Sequence, residues 1–82
     1  MITPAQSRAA RALLDWTQQK LAETAQVAVL TIQHFEAGSS APRRATLDVI
    51  VRAFEAAGVE FTFGDAPGVK LHAAALAKKK KR

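Results

Sequence analysis

The chain has 82 residues, 49% hydrophobic and 23% charged, a composition typical of one small globular domain rather than of a disordered chain. It contains no cysteine, which excludes disulfides and thiolate metal sites. No apolar run approaches the roughly 20 residues that a membrane helix needs, and Arg8, Arg11 and Asp15 interrupt the first apolar stretch. We therefore expect no membrane span, no signal peptide and a cytoplasmic location.

The formal net charge of +5 comes entirely from the end of the chain. Lys78–Lys81 and Arg82 supply five of the twelve basic residues, and the other seven are balanced by seven Asp and Glu. The body is therefore formally neutral, and the net charge does not by itself predict a basic binding face. We expect residues 73–82 to form a basic flexible tail that either adds non-specific attraction to phosphate or is simply solvated.

The first predicted helix begins at Thr3-Pro4, where Thr is a good N-cap and Pro a good first helical residue. We expect it to end near Leu14 or Asp15. Its inward face is predicted from apolar residues at helical spacing: Ala9, Leu13 and Trp16.

Two short helices follow, joined by a tight turn. Thr17 is the N-cap of a two-turn helix over Gln18–Ala25, Gln26-Val27 forms the turn, and a third helix runs over about residues 28–37. Gly38 ends it, because a left-handed conformation costs Gly nothing. The residues expected to face inward are Leu21, Ala25, Ile32 and Phe35. This arrangement is the geometric signature of a helix-turn-helix, whose second helix enters the major groove of DNA.

The fourth helix has the clearest pattern, after a loop at residues 39–42. It ends at Gly58. Its apolar stripe falls at i, i+3, i+4, i+7 and i+10: Leu47, Ile50, Val51, Phe54 and Ala57.

The pattern then becomes strand-like. Residues 59–63 and 69–72 alternate apolar and polar side chains on either side of the turn-rich Gly64–Gly68. We predict a β-hairpin with a five-residue loop. Two isolated strands are marginal in water, so the hairpin needs a helix face or a second copy of the chain.

Over about residues 4–57 the sequence resembles the Cro/CI-type (Xre-like) helix-turn-helix repressors. The resemblance lies in the motifs Trp16–Ala22, Val27, Thr31–Gly38, Pro42 and Thr46-Leu47. It implies a mainly α, four-helix lambda-repressor-like DNA-binding domain at residues 1–58. The hairpin at residues 59–72, a possible dimerisation element, replaces the family's usual fifth helix.

The resemblance also implies roles for individual residues. Arg11 and Glu36 match a pair that bridges the first and third helices. The expected DNA contacts fall into three groups. Thr17 and Gln18 lie at the start of the second helix, where Gln18 matches a residue that contacts the DNA backbone and supports the third helix. On the third helix, Val29, Leu30 and His34 match positions that face the bases, and Gln33 is expected to contact either a phosphate or a base. The third group matches positions that meet phosphates: Ser39, Ser40, Arg43 and Arg44.

Three departures from the family pattern stand out. Gln26 replaces the usual Gly of the turn, Ala28 replaces the usual Ser or Thr cap, and the third helix carries neither Arg nor Lys. The apolar pair Val29-Leu30 has three interpretations: contact with thymine methyl groups, a surface for a protein partner, or packing inside the fold.

The function predicted from the sequence is a sequence-specific DNA-binding transcriptional regulator, a repressor or autorepressor. We expect a homodimer joined through residues 59–72 on a palindromic operator in double-stranded DNA. The alternative is an antiactivator or antitoxin that grips another regulatory protein with the same surface. We expect no enzyme activity, cofactor or metal, because no catalytic set is present and neither His34 nor His72 has partners at ligand spacing.

Overall fold

A computed structural model describes residues 1–72 and shows four helices followed by a two-stranded antiparallel hairpin. This confirms the predicted fold class, while the tail predicted over residues 73–82 lies outside the described residues. No helix within residues 1–72 is both long enough and apolar enough to cross a membrane. The elements are α1 (Pro4–Leu14), α2 (Gln18–Ala25), α3 (Val29–Glu36), α4 (Arg44–Ala56), β1 (Val59–Thr62) and β2 (Gly68–Leu71).

The core lies between the four helices and is closed at one end by β1. Every helix contributes to it, and the N-terminal Ile2 and the strand residue Val59 complete it. Seven of the residues predicted to face inward are buried: Leu21, Ala25, Ile32, Phe35, Leu47, Ile50 and Phe54. Their side chains occur at i, i+3 or i+4 positions of three different helices, so the apolar stripes meet along one seam.

The inward face of α1 differs from the prediction. Ala9 is exposed and Leu13 is only half-buried, whereas Ala10 is fully buried and Leu14 packs against the core. The core-facing row is therefore displaced by one residue. This displacement turns Ser7 into the core. The fold tolerates a buried serine there because its hydroxyl donates a hydrogen bond to Glu36 on α3.

A capping box starts α1 and also attaches the hairpin. The Thr3 hydroxyl accepts from the Gln6 amide nitrogen at 3.1 Å, and the Gln6 side-chain oxygen accepts from the Thr3 amide nitrogen at 2.9 Å. The Gln6 Nε2 donates to the carbonyls of Thr62 at 2.7 Å and Gly68 at 3.1 Å. The buried side-chain amide of Gln6 thus joins α1 to the last residue of β1 and to the first residue of β2.

The hairpin packs one face on the helices. Phe61 pairs with Val69 and Val59 with Leu71, so these four apolar side chains share the inner face. The opposite face carries the exposed residues Glu60, Thr62 and Lys70. The predicted hairpin is confirmed, but both strands end one residue earlier than expected: β1 ends at Thr62, and β2 is Gly68–Leu71 instead of residues 69–72.

The turn between α2 and α3 contains backbone strain. Gln26 has φ 60° and ψ 46°, the left-handed region, and its amide donates to carbonyls of the last turn of α2. Such a conformation costs an L-residue other than Gly about 1–2 kcal/mol. The tight turn that separates the two helices therefore forms at the expense of stability.

We predict that Gln26→Gly stabilises the protein by about 0.5–1 kcal/mol, because Gly relieves the left-handed strain but loses more backbone entropy on folding. Thermal denaturation followed by circular dichroism should show a rise of roughly 4 °C in Tm. Glu23→Gly, an exposed position inside α2, is the control and should lower stability by about 1 kcal/mol. A lower Tm for Gln26→Gly would contradict the assignment of strain to this turn.

Candidate nucleic-acid interface

The helices α2 and α3 pack against each other with the turn at Gln26 between them. Thr17 begins α2, and its hydroxyl accepts from the Lys20 amide nitrogen at 2.9 Å. Helix α3 buries Ile32 and Phe35 in the core. The stretch therefore folds as two separate rods, and the second has one face turned to the solvent.

The outward face of α3 carries three exposed residues at positions i, i+3 and i+4: Leu30, Gln33 and His34. Leu30 is 55% exposed, which is high for a large apolar side chain. Gln33 and His34 add hydrogen-bonding groups beside it. We call these three residues the α3 ridge.

Val29 does not belong to this ridge. It is half-buried and packs against the core, so the expectation that it faces outward together with Leu30 needs correction. The reason is local geometry: Val29 is the first residue of α3, three positions before the buried Ile32, and shares its side of the helix. Packing accounts for Val29, and the exposed apolar surface of the pair is that of Leu30.

Glu36 anchors the other end of α3. Its carboxylate is buried and accepts from Arg11 Nη2 at 2.7 Å and from Arg11 Nε at 2.9 Å. It also accepts from Ser7 Oγ at 2.6 Å and from Gln18 Nε2 at 3.1 Å, while Arg8 donates to the Glu36 main-chain carbonyl. We call this arrangement the Glu36 cluster. It ties α3 to three residues of α1 and to the first residue of α2, and it contains the expected Arg11–Glu36 bridge.

The cluster keeps Glu36 ionised. Burial alone would raise the pKa of its carboxyl, but hydrogen bonds from Arg11, Ser7 and Gln18, with the positive charge of Arg11, outweigh it. The pKa of Glu36 therefore lies below its usual value. Because the charge is matched internally, Glu36 presents no negative charge to a ligand at the α3 ridge.

Gln18 is half-buried and has a defined orientation. Its amide nitrogen donates to Glu36, so the residue links the start of α2 to the end of α3. Gln18 thus supports α3 from α2, and the contact with the DNA backbone that the family resemblance implies for it stays a prediction. Thr17 beside it is exposed and its hydroxyl caps α2.

The loop after α3 and the start of α4 carry four exposed polar residues: Ser39, Ser40, Arg43 and Arg44. Gly38 begins this loop with φ 75°, which lets the chain leave α3 sharply. Helix α4 starts with neither a side-chain cap nor an acidic residue in its first turn. Arg43 and Arg44 therefore lie beside main-chain amides of α4 that no side chain caps. An anion such as a phosphate stabilises this arrangement, because it accepts hydrogen bonds from the amides and balances the two positive charges.

The charge along this segment is one-sided. Between Thr24 and Leu47 the sequence has two arginines, Arg43 and Arg44, and one carboxylate, Glu36. Since Glu36 is buried and bound to Arg11, the exposed charge of the segment is positive. Exposed carboxylates lie just outside this segment, Glu23 before it and Asp48 one turn after Arg44, so the positive charge is confined to Arg43 and Arg44.

Sequence reasoning missed Ser7 and Gln6, the two polar residues that α1 buries. A signal existed for Gln6, because Thr-x-x-Gln at a helix start is a capping box. Ser7 lies three and seven residues before Ala10 and Leu14, so helical spacing places all three on one face. Within residues 1–72 no group of three or more His, Asp or Glu side chains is arranged to hold a metal ion.

Comparison with known proteins gives one family. A family model described as helix-turn-helix matches residues 8–61, well over half of the chain. The match includes the α2–α3 pair, the Glu36 cluster from Arg8 onward, and the start of α4. No curated protein matches the sequence.

We predict that Glu36→Gln destabilises the fold by about 3 kcal/mol or more, because it leaves Arg11 partly buried without a counter-charge. A pKa lowered by folding contributes stability above the pKa of the unfolded carboxyl, about 4.3, and this stability is lost as the pH falls through the folded value. Urea unfolding from about pH 7 to about pH 3 should therefore show a smaller acid loss of stability in the variant than in the wild type.

Glu23→Gln provides the control for the substitution itself, since it makes the same change at an exposed carboxylate on α2. At about pH 7 it should unfold with nearly the wild-type free energy, because it leaves no buried charge without a partner. An equal acid dependence in Glu36→Gln and the wild type would show that Glu36 does not titrate as the cluster requires.

Proposed function

Because the chain belongs to the Cro/CI-type (Xre-like) helix-turn-helix family and is therefore a DNA-binding regulator, we propose that it represses transcription as a homodimer on a palindromic operator. The family is one of regulatory DNA-binding domains rather than of enzymes. A repressor of this kind acts by occupying its operator. Where that operator lies in the promoter of its own gene, the protein is an autorepressor.

The observation that carries the proposal is the α3 ridge, held outward by the Glu36 cluster. An exposed helix face with two polar readers fits the major groove, where each base pair offers a distinct pattern of donors and acceptors. Gln33 has the chemistry to bond adenine N6 and N7, and Leu30 to contact a thymine methyl group. Helix α3 has no Arg or Lys, so the common Arg–guanine contact is absent from it. We therefore propose an operator read mainly at A·T pairs.

Affinity comes from residues that precede and follow α3 in the chain. Before it, Thr17 and Gln18 begin α2, whose N-terminal amides suit a phosphate. After it come the exposed loop and the start of α4: Ser39, Ser40, Arg43 and Arg44. Contacts to phosphates position the protein without reading sequence, and they make binding sensitive to salt.

A second candidate function has its own observation. Leu30 is a large exposed apolar residue at the centre of the ridge, and such residues also mark protein interfaces. In this alternative the ridge binds another regulatory protein, as an antiactivator or an antitoxin does.

We predict that Arg43→Ala weakens binding to all DNA sequences about equally and reduces the slope of log K against the log of the salt concentration by about one per half-site, or about two for the dimer. Gln33→Ala should instead relax specificity at one position of each half-site, where the correct base pair is preferred by about 1–3 kcal/mol. Gel shifts with a selected operator and with mismatched operators measure both effects. The control is Arg52→Ala, which removes an exposed arginine from α4 two turns beyond its start. Uniform weakening by Gln33→Ala would rule out base reading by Gln33.

Leu30 allows a test that separates the two candidate functions. Replacing the contacted thymine with deoxyuridine removes one methyl group, and the wild type should bind about fourfold more weakly per half-site, since burying one such group contributes about 0.8 kcal/mol. Leu30→Ala should bind both operators with similar affinity. If Leu30→Asp retains operator binding but loses a co-purifying protein, the partner-binding function is favoured instead.

A further inference from the structure

Three large hydrophobic residues are exposed within residues 1–72: Met1 at 63%, Leu30 at 55% and Phe63 at 48%. Leu30 belongs to the α3 ridge. Met1 and Phe63 lie elsewhere and border the same groove. Two such residues on one depression form an apolar patch that the proposed contact with DNA does not use.

The groove lies between the N-terminus, one face of α4 and the hairpin loop. It has a volume of about 200 Å³, and its apolar walls include Leu47 and Val51 of α4. Cavities of about 150 Å³ lined by apolar side chains can hold a benzene ring. The groove is therefore large enough to receive one phenyl side chain.

Phe63 is presented rigidly at the rim of this groove. Its ring stacks on Phe61 with centroids 6.0 Å apart, and Phe61 contacts the buried Phe54 edge-on at 5.8 Å. The ring is therefore supported from the core outward, while about half of the residue remains exposed. A rigid aromatic side chain loses little conformational entropy on binding, which is typical of the anchor residues of interfaces.

We propose that this groove is the contact surface between two copies of the chain, each inserting Phe63 into the groove of the other. A two-fold interface uses the same patch on both subunits, so the patch must be complementary to itself. This patch carries both the cavity and a ring of suitable size. The inference rests on the homodimer of the proposed function and assigns its surface.

Charge on the same patch supports a second copy over an unrelated partner. Arg44 and Asp48 line the groove one turn apart on α4, one of each sign. Neither takes part in an ion pair within residues 1–72. A two-fold axis that passes between Arg44 and Asp48 sets Arg44 against Asp48 of the partner subunit, and the reverse pair forms with it.

This surface refines the expectation that residues 59–72 join the dimer. Phe63 belongs to that segment but lies in the loop after β1, so the contact pairs a loop residue with a helix face rather than two strand edges. Arg44 is shared with the proposed phosphate contacts at the start of α4, which places the dimer contact next to the DNA-facing side.

The test is the oligomeric state of the full chain without DNA, measured by sedimentation equilibrium. The wild type should be a reversible dimer, and Phe63→Asp should weaken dimerisation roughly 30-fold or more, as expected for loss of an anchor residue. Leu30→Asp is the matched control, because it makes the same change at a residue of similar exposure, and it should remain dimeric. A monomeric wild type, or a dimer that withstands Phe63→Asp, overturns the proposal. A monomeric wild type that binds a different protein also overturns the proposed dimer surface.

Cross-linking keeps the proposal testable if Phe63→Asp fails to fold. The chain has no cysteine, so each single-cysteine variant reports one position. Phe63→Cys mixed with Val51→Cys should form a disulfide between the two variants under mild oxidation, whereas Leu30→Cys mixed with Val51→Cys should not. Equal yields in the two mixtures overturn the proposed surface. Operator binding is measured separately, so a failed dimer surface and a failed DNA-binding function are distinguishable.

Discussion

The buried carboxylate of Glu36 is the constraint on which the arrangement of the helices depends. A charge taken out of water needs a counter-charge and hydrogen bonds, or the fold does not tolerate it. Arg11 and Ser7 supply these from α1, and Gln18 supplies one from α2. Because the donors belong to other helices, α3 is held in one orientation, and that orientation turns Leu30, Gln33 and His34 to the solvent. The exposed ridge is thus a consequence of an electrostatic requirement inside the fold.

The same constraint separates affinity from specificity under the proposed function. Glu36 is neutralised internally and α3 has no other charged residue except His34 when protonated. The ridge therefore contributes little long-range attraction to DNA. Attraction must come from Arg43 and Arg44, which follow in the loop and at the start of α4. Such a division favours base discrimination by shape and by hydrogen bonds over discrimination by charge.

Much of this architecture could be predicted from the sequence, because the informative signals are local. Thr17 as a cap and Gln26 as the turn define α2 to the residue. The inward face of α1 could not be predicted in the same way, since its alanines give a weak apolar signal and Gln6 and Ser7 are polar. Those two residues are buried only because Thr62, Gly68 and Glu36 lie opposite them in the folded chain. Helical spacing places Ser7 on one face with Ala10 and Leu14, but the partner that allows its burial, Glu36, lies far away in the sequence.

Phe63 shows most clearly where sequence reasoning stops. The alternation from Val59 through Phe61 to Phe63 places all three on the inner face of a strand. The strand instead ends at Thr62, where the Gln6 amide closes the hairpin by binding the carbonyls of Thr62 and Gly68. Phe63 therefore continues the aromatic stack to the surface. A domain of this size has only a small core. Phe63, which packs on that core through Phe61 and is otherwise exposed, can therefore extend the core into a second copy of the chain.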